Sequence, residues 1–296
     1  MKVLFLKGLR NPSYFRYYLG NVHPFRERFP FVCEKFFPLE KHVDLGGPSS
    51  VKRLHVILRT TDAVLNLNAS RRLESVGLVT KRDVIEFGGC SLFPAARMFL
   101  DRYGVGSLRV TLVADNLSEE GLALYKKVSL NFGIQFSVVP SKGHGNGASF
   151  QTQIDVAMQD ADDTVELILE DDYRLDPQAL VIPFSVLARH SHVAGVNPHF
   201  HPDRLRRQDA RFLTIVDGRL YARVPSTCCT FFIRRSMIAA YESKLRLYDG
   251  FEAYSVGAVW KREICLAPMG WTLAEHLHRS DLSPVCDLSR LKANPW

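Results

Sequence analysis

Long apolar runs are missing from this chain of 296 residues. None approaches the roughly 20 consecutive residues a bilayer-spanning helix needs. Cysteine is sparse: the six at positions 33, 90, 228, 229, 265 and 286 form no C-x-x-C pair and keep no regular spacing. That argues against a disulfide framework and against structural zinc held by cysteine. The vicinal pair Cys228-Cys229 lies in an apolar stretch and reads as buried packing. The start, Met1 to Lys7, has too short an apolar core for a secretory signal and no small-residue cleavage site nearby, so a cytosolic location is expected. Internal repeats and low-complexity segments are also lacking. Acid is in deficit, with a formal net charge of +7. The excess suggests acidic partners such as nucleotide phosphates or anionic headgroups. The basic residues are spread out, with local clusters at Arg204 to Arg207 and at Arg234-Arg235, and no nucleic-acid module accompanies them. A solvated basic face, not a nucleic-acid surface, is the expectation.

What is present divides in two. Residues 1–50 are rich in Phe, Tyr, Pro and Arg, as in Tyr14 to Tyr18 and Phe36 to Pro38. Repeated prolines forbid a long helix there. The segment reads as an extension packing aromatic side chains on the main domain, a partner or a membrane surface, with Gly46 to Ser50 as its linker. Residues 51–296 have ordinary globular composition. Leu54 to Asp62 reads as a strand ending in polar residues, and 63–90 is an insertion without clear placement. Apolar spacing predicts a helix over Ser91 to Tyr103, stopping near Gly104. A strand follows over Leu108 to Ala114, then a helix capped by Ser118, a third strand over Ile134 to Val139, and an amphipathic helix over Ala148 to Ala161. Strands alternating with helices imply an α/β fold with a mainly parallel sheet flanked by helices.

The most telling stretch is Val165 to Pro177, where an apolar run stops at Glu170, Asp171 and Asp172. In a strand, period-2 geometry sets Glu170 and Asp172 on one face and Asp171 on the other. Adjacent carboxylates repel unless a cation lies between them, and Mg²⁺ or Mn²⁺ takes such oxygens. The alternative is a solvated strand-end turn, with Asp176-Pro177 starting the next helix. In sheets of this kind ligands bind beyond the carboxyl ends of the strands. Arriving there are Arg59, Thr60, Thr61 and Asp62, then Asp115, then the Gly-rich loop with Lys142, His144 and Asn146, then the acids. Arg59 or Lys142 is suited to phosphate, Asp115 to a base or ribose, and the glycines to close backbone approach before a helix start.

This order of strand-Thr-x-Asp, strand-Asp, Gly-Asn-x-Ala before a helix, then strand-Glu-Asp-Asp-x-x-x-x-Pro resembles GT-A-fold nucleotide-sugar glycosyltransferases of the family 2 type. The resemblance covers roughly 54–280. It implies a GT-A (Rossmann-like) domain over 51–296, with a donor-binding half at about 54–180 and an acceptor-binding half at about 181–280. Glu170 stands in the first acidic place of the family's Asp-x-Asp signature. By the same resemblance Asp172, with Glu170 or Asp171, holds a Mn²⁺ or Mg²⁺ ion, and a late histidine, His276 or His278, reaches the metal or the diphosphate. The segment Cys229 to Ile238 resembles the family's strand-Arg-Arg-helix facing the acceptor. Leu247 to Glu252 resembles its Gly-Phe-Asp/Glu turn, although the usual Glu-Asp dipeptide is missing, so the catalytic base is Glu252 or Asp249. Expected partners are a nucleotide sugar and a glycan or lipid-linked acceptor, with inversion at the sugar, peripheral contact at the cytoplasmic face of a membrane, and a place in surface-polysaccharide or lipopolysaccharide assembly.

Two other classes fit parts of the pattern. A nucleotidyltransferase also combines an α/β sheet, a Gly-rich loop and a metal-binding acid, but its glycines usually follow the first strand, where this chain reads Arg59 to Asp62 and has none until Gly77. A non-catalytic nucleotide- or carbohydrate-binding module is supported by the missing Glu-Asp dipeptide and opposed by the intact acid cluster.

Overall fold

The computed structural model describes residues 43–62, 77–78, 80–201, 213–227, 230–248, 254–278, 282–283 and 286. The extension up to residue 42, the vicinal cysteines, Asp249 and Glu252 lie outside the described residues. The elements run in the order β1 (Arg53–Thr60), α1 (Lys81–Phe87), α2 (Leu92–Tyr103), β2 (Leu108–Ala114), α3 (Glu119–Asn131), β3 (Ser137–Pro140), α4 (Gly145–Ala157) and β4 (Thr164–Glu170). They continue with β5 (Tyr173–Leu175), α5 (Val181–Arg189), β6 (Val193–Val196), β7 (Leu213–Val216), β8 (Arg219–Arg223), β9 (Phe231–Arg234) and α6 (Arg235–Ala240). The last are α7 (Glu242–Leu245), α8 (Val256–Trp260), β10 (Ile264–Pro268) and β11 (Ala274–His276).

Nine of these strands form one sheet in the order β3-β2-β1-β4-β9-β6-β10-β8-β7. The pairings β1–β2, β1–β4, β2–β3 and β6–β10 are parallel, while β8 and β9 run against their neighbours. Seven strands therefore share one direction, and the mainly parallel α/β sheet expected from the alternation is the observed one. A small second sheet pairs β5 with β11.

Both faces of the sheet are covered, which is why β1 and β4 read as near-continuous apolar runs. Period 2 sorts their side chains. Val56, Leu58, Leu167 and Leu169 join the core beneath α2 and α5, where Phe99 meets Phe184 edge-on at 5.0 Å between ring centres. Ile57, Val113 and Ile168 face the opposite core, with Phe150 and Ile154 of α4 and Trp260 of α8. Cys90, in the turn between α1 and α2, is fully buried, and burial, then Glu86, pushes its thiol up to about 12. A thiol needs its thiolate to react. Iodoacetamide at mildly alkaline pH should therefore leave Cys90 unmodified in the native protein and alkylate it after denaturation; peptide mapping showing native labelling would contradict this burial.

Three boundaries differ from the sequence reading. The third strand starts at Ser137, because Ile134 is drawn into the core at the end of α3, its N–H bonded to the Ser129 carbonyl at 3.0 Å. Helix α4 starts at Gly145, inside the Gly-rich segment, and ends at Ala157. Asp115 makes that early start feasible by accepting the Gly145 N–H at 3.0 Å, so the cap comes from another strand. Asp176-Pro177 forms a turn, with Asp176 Oδ1 accepting the Gln178 N–H at 2.8 Å, and α5 waits until Val181.

The arginine pair at 234–235 is placed differently from its expected role facing an acceptor. Strand β9 is antiparallel to β4 with Arg234 opposite Val165, at the amino end of β4 and away from the acids. Arg234 is buried and donates to the carbonyls of Val193, Leu187 and His190, closing the end of α5. Arg235 donates to the Met158 carbonyl and to Asp162. The pair is structural because β9 reverses direction, which adjacent residues in the chain cannot reveal.

Candidate functional site

At the carboxyl edge of β1, β2, β3 and β4 the chain leaves the sheet in four neighbouring loops. Backbone bonds hold them together: Asp115 N–H donates to the Thr60 carbonyl at 2.9 Å and Ser141 N–H to the Ala114 carbonyl at 2.9 Å. Arg59 lies beside Glu170 in register. Its Nη1 donates to Glu170 Oε1 at 2.8 Å, and its Nη2 lies 4.0 Å from Asp115 Oδ2. Its Nε is buried without a hydrogen-bond partner among the described residues. Burial works to lower the Arg59 pKa, but Glu170, Asp171, Asp172 and Asp115 more than reverse it and keep the guanidinium charged.

The three acids diverge. Glu170 faces Arg59; burial, then Asp172, pushes its carboxyl up against the pull of Arg59. Asp171 is buried, accepting the Thr61 N–H at 2.9 Å and ion-pairing with Lys81 Nζ at 2.5 Å. Lys81 opens α1, which Thr80 and Asp83 start with a reciprocal capping box. The capping signature Thr80-x-x-Asp83 was readable in the sequence and locates the helix; nothing local in the unplaced 63–90 segment links Lys81 to an acid ninety residues on. Gly88, at the end of α1, packs so closely that a β-carbon there would sit 2.5 Å from the Asp171 carbonyl oxygen.

Asp172 turns to the second sheet. Tyr173 and His276 are opposite each other in the β5–β11 pair, which brings His276 Nε2 to 3.2 Å from Asp172 Oδ2. The rings of Tyr173, His276 and His278 stack in succession, with centroids 4.5 and 4.8 Å apart. His199, buried at the end of β6, crosses Tyr173 edge-on and meets the Ala274 carbonyl through Nδ1 at 2.8 Å. Both late histidines thus reach the acid, as residues two apart in extended chain can.

The remaining site residues split. Asp62 is committed to α3: Oδ1 accepts the Ser118 N–H at 2.8 Å and Oδ2 accepts the Ser118 hydroxyl. Thr60 Oγ1 and Tyr125 Oη share a buried hydrogen bond of 2.9 Å. Asp115, buried, holds the start of α4, with His144 Nδ1 at 3.4 Å and Asn116 Nδ2 2.8 Å from that same nitrogen. Asn146 is exposed in the first turn of α4. Lys142 points away to Asp155 at 2.5 Å, where Arg246 also pairs, so it is not gathered with the acids.

Whether the residues present fit a divalent cation can be tested on Asp172. Its Oδ1 is buried and has no hydrogen-bond partner among the described residues. Ligand atoms of Asp172, His276 and His278 lie within 4.8 Å of one another. Around them four carboxylates (Asp115, Glu170, Asp171, Asp172) face two fixed cations (Arg59, Lys81), leaving two negative charges when all are ionised and both imidazoles are neutral, the form that ligates a metal. Burial pushes the Asp172 carboxyl up, yet His276, then Lys81 and His278, hold it well below the usual range, so it is present as the carboxylate. An orphaned carboxylate oxygen, two imidazoles and a local charge deficit fit such an ion.

No protein-family model and no curated protein matches the chain. Among solved structures, a mannosyltransferase from Pyrobaculum calidifontis in complex with GDP-Man and Mn²⁺ is similar over 79% of this chain and 56% of its own, with 13% identity and a TM-score of 0.43. S. aureus TarS, residues 1–349, is similar over 75% of this chain and 59% of its own, with 10% identity and a TM-score of 0.43. The chain spans a little over half the length of each, and a likeness this distant assigns no activity.

Proposed function

We propose that this protein is a metal-dependent glycosyltransferase that moves a sugar from a nucleotide-diphosphate donor to an acceptor hydroxyl with inversion. The observation that carries the reading is the orphaned Asp172 Oδ1 facing His276 and His278 at the edge where Arg59, Asp115 and the start of α4 also converge. Asp172, His276 and His278 would hold the cation. Two imidazoles beside one carboxylate favour a transition-metal ion over Mg²⁺, which prefers oxygen. The chemistry supplied by the bound cation is neutralisation of the charge that gathers on the departing diphosphate.

The chain's own residues do the rest. Arg59 adds fixed positive charge beside that position, and its unsatisfied Nε is a donor for an anionic ligand. The first turn of α4 offers backbone N–H groups, which favour anions. Asp115 and the neighbouring Asn116 and His144 supply polar groups for the base or ribose. A glycosyl transition state has oxocarbenium character, and the acceptor hydroxyl must lose its proton as the bond forms. Glu252 or Asp249 is proposed as the base, an effect worth about 10²–10⁴ in rate. The acceptor is proposed to be a glycan or lipid-linked hydroxyl in surface-polysaccharide assembly, reached by peripheral contact with a membrane. No helix among the described residues is long and apolar enough to cross one.

The test is a thermal-shift screen of UDP-, GDP-, CDP- and TDP-sugars with and without Mn²⁺ or Mg²⁺, followed by donor turnover with candidate acceptors. A donor at a hundred times its Kd should stabilise the native state by about 2.7 kcal/mol, only with metal. Stabilisation without turnover against any acceptor would favour a non-catalytic binding module. No response to any nucleotide sugar would remove the reading.

A further inference from the structure

A second cluster of ligating groups lies at the opposite edge of the sheet. Strand register sets His55 of β1 between Arg109 of β2 and Glu166 of β4. Asp160 joins them from the turn after α4. His55 and Glu166 are 1% and 0% exposed. Four residues separate His55 from Arg59, about 13 Å along a strand at roughly 3.3 Å each, so this cluster is distinct from the Asp172 site.

Its hydrogen bonding serves Asp160 and leaves out Glu166. His55 Nδ1 is 2.6 Å from Asp160 Oδ2 and 3.3 Å from Glu166 Oε2, and Arg109 Nη2 lies 2.9 Å from the same nitrogen. Arg109 Nη2 also donates to Asp160 Oδ2 at 2.5 Å, so with a proton on Nδ1 Asp160 serves both the imidazole and the guanidinium. Without that proton a lone pair is pressed against the Asp160 carboxylate. In either state both Glu166 oxygens stay buried without a hydrogen-bond partner among the described residues. A buried carboxylate beside an imidazole but without a hydrogen-bond donor is incompletely compensated.

We propose that His55 Nδ1, Asp160 and Glu166 form a second divalent-metal site, of the kind that takes Zn²⁺. Their ligand atoms lie within 4.8 Å of one another. A cation accepts lone pairs from all three at once and gives the Glu166 oxygens the partner they lack among the described residues. His55 Nε2 lies 2.8 Å from Thr111 Oγ1, which lies 2.9 Å from Ser137 Oγ. That chain takes the other ring N–H and aims Nδ1 at the ion, the usual support for a ligating histidine. One imidazole and two carboxylates suit zinc with a water in the fourth place; Ca²⁺ would need six to eight oxygens. The Arg109 side chain, 50% exposed, holds the cationic position and is free to swing into solvent as the ion enters. The bound ion would tie β1, β4 and the turn between α4 and β4, a structural role independent of the function proposed above.

The experiment uses the untagged full chain, stripped with a chelator and titrated with Zn²⁺ alone. In the Asp172→Ala/His276→Ala variant, which disables the other candidate site, Zn²⁺ at a hundredfold excess over its Kd should raise Tm by about 5 °C. Adding Glu166→Gln should remove that increment. Should the combined variants fold poorly, metal analysis of single variants decides: Glu166→Gln should bind one equivalent fewer than wild type, and Co²⁺ should lose one set of visible bands. An unchanged stoichiometry in Glu166→Gln, or no Zn²⁺ response with the Asp172 site disabled, would overturn the proposal.

Discussion

Asp172→Asn should fold normally and lose sugar transfer by about a hundred- to a thousandfold in kcat/KM, the scale of one transition-state charge contact. The substitution keeps the side chain's shape beside His276 and removes only the charge and one strong ligand. Asp172 Oδ1 has no protein donor to lose, so the hydrogen-bond network is disturbed at Oδ2 alone. The loss should therefore appear in turnover and in metal affinity, not in Tm. His276→Gln should act in the same direction and weaken the response to Mn²⁺. Steady-state kinetics across a Mn²⁺ titration is the measurement. A variant with activity within a few-fold of wild type at every metal concentration would show that Asp172 does not hold the ion.

Lys81→Met should cost about 3–5 kcal/mol of stability, because it leaves Asp171 buried and unpaired. Lys81 is held cationic against burial by Asp171, then Asp172, and the Asp171 side chain is only 6% exposed. Asp171 would keep the Thr61 N–H, which limits but does not cancel the loss. The expected fall in Tm is about 6–10 °C. Lys81→Met combined with Asp171→Asn should recover most of it, since the pair is then removed together and no charge is stranded. If the double variant is as unstable as the single one, the lysine contributes through packing of α1 and not through the ion pair.

These two predictions differ in how far the sequence reaches them. Asp172 stands out because an apolar run ends there in three acids, and the run is buried on both faces in the sheet. Lys81 was invisible, although its capping box was readable, because only the docking of α1 on the end of β4 brings it to Asp171. Lys142 shows the reverse. Its place in the Gly-rich loop suggested phosphate, but α4 starts at Gly145 and Asp155, nearly three turns on, takes the ammonium. Arg234 and Arg235 failed for a topological reason, since the antiparallel course of β9 carries them to the far edge.

By itself the sequence determined the alternating strands and helices, the covered parallel sheet, and the edge at which Arg59, Asp115 and the acids arrive. Those properties follow from local periodicity, capping and the two-faced burial of short apolar runs. Only the tertiary structure decided the partner of each acid. Period 2 holds through β4 and ends at Glu170, so the next two carboxylates are no longer governed by the strand. Each then settles on the opposite charge or imidazole that packing brings near: Arg59 for Glu170, Lys81 for Asp171 and His276 for Asp172. Ion pairing acts through space, and those three partners come from three separate stretches of the chain.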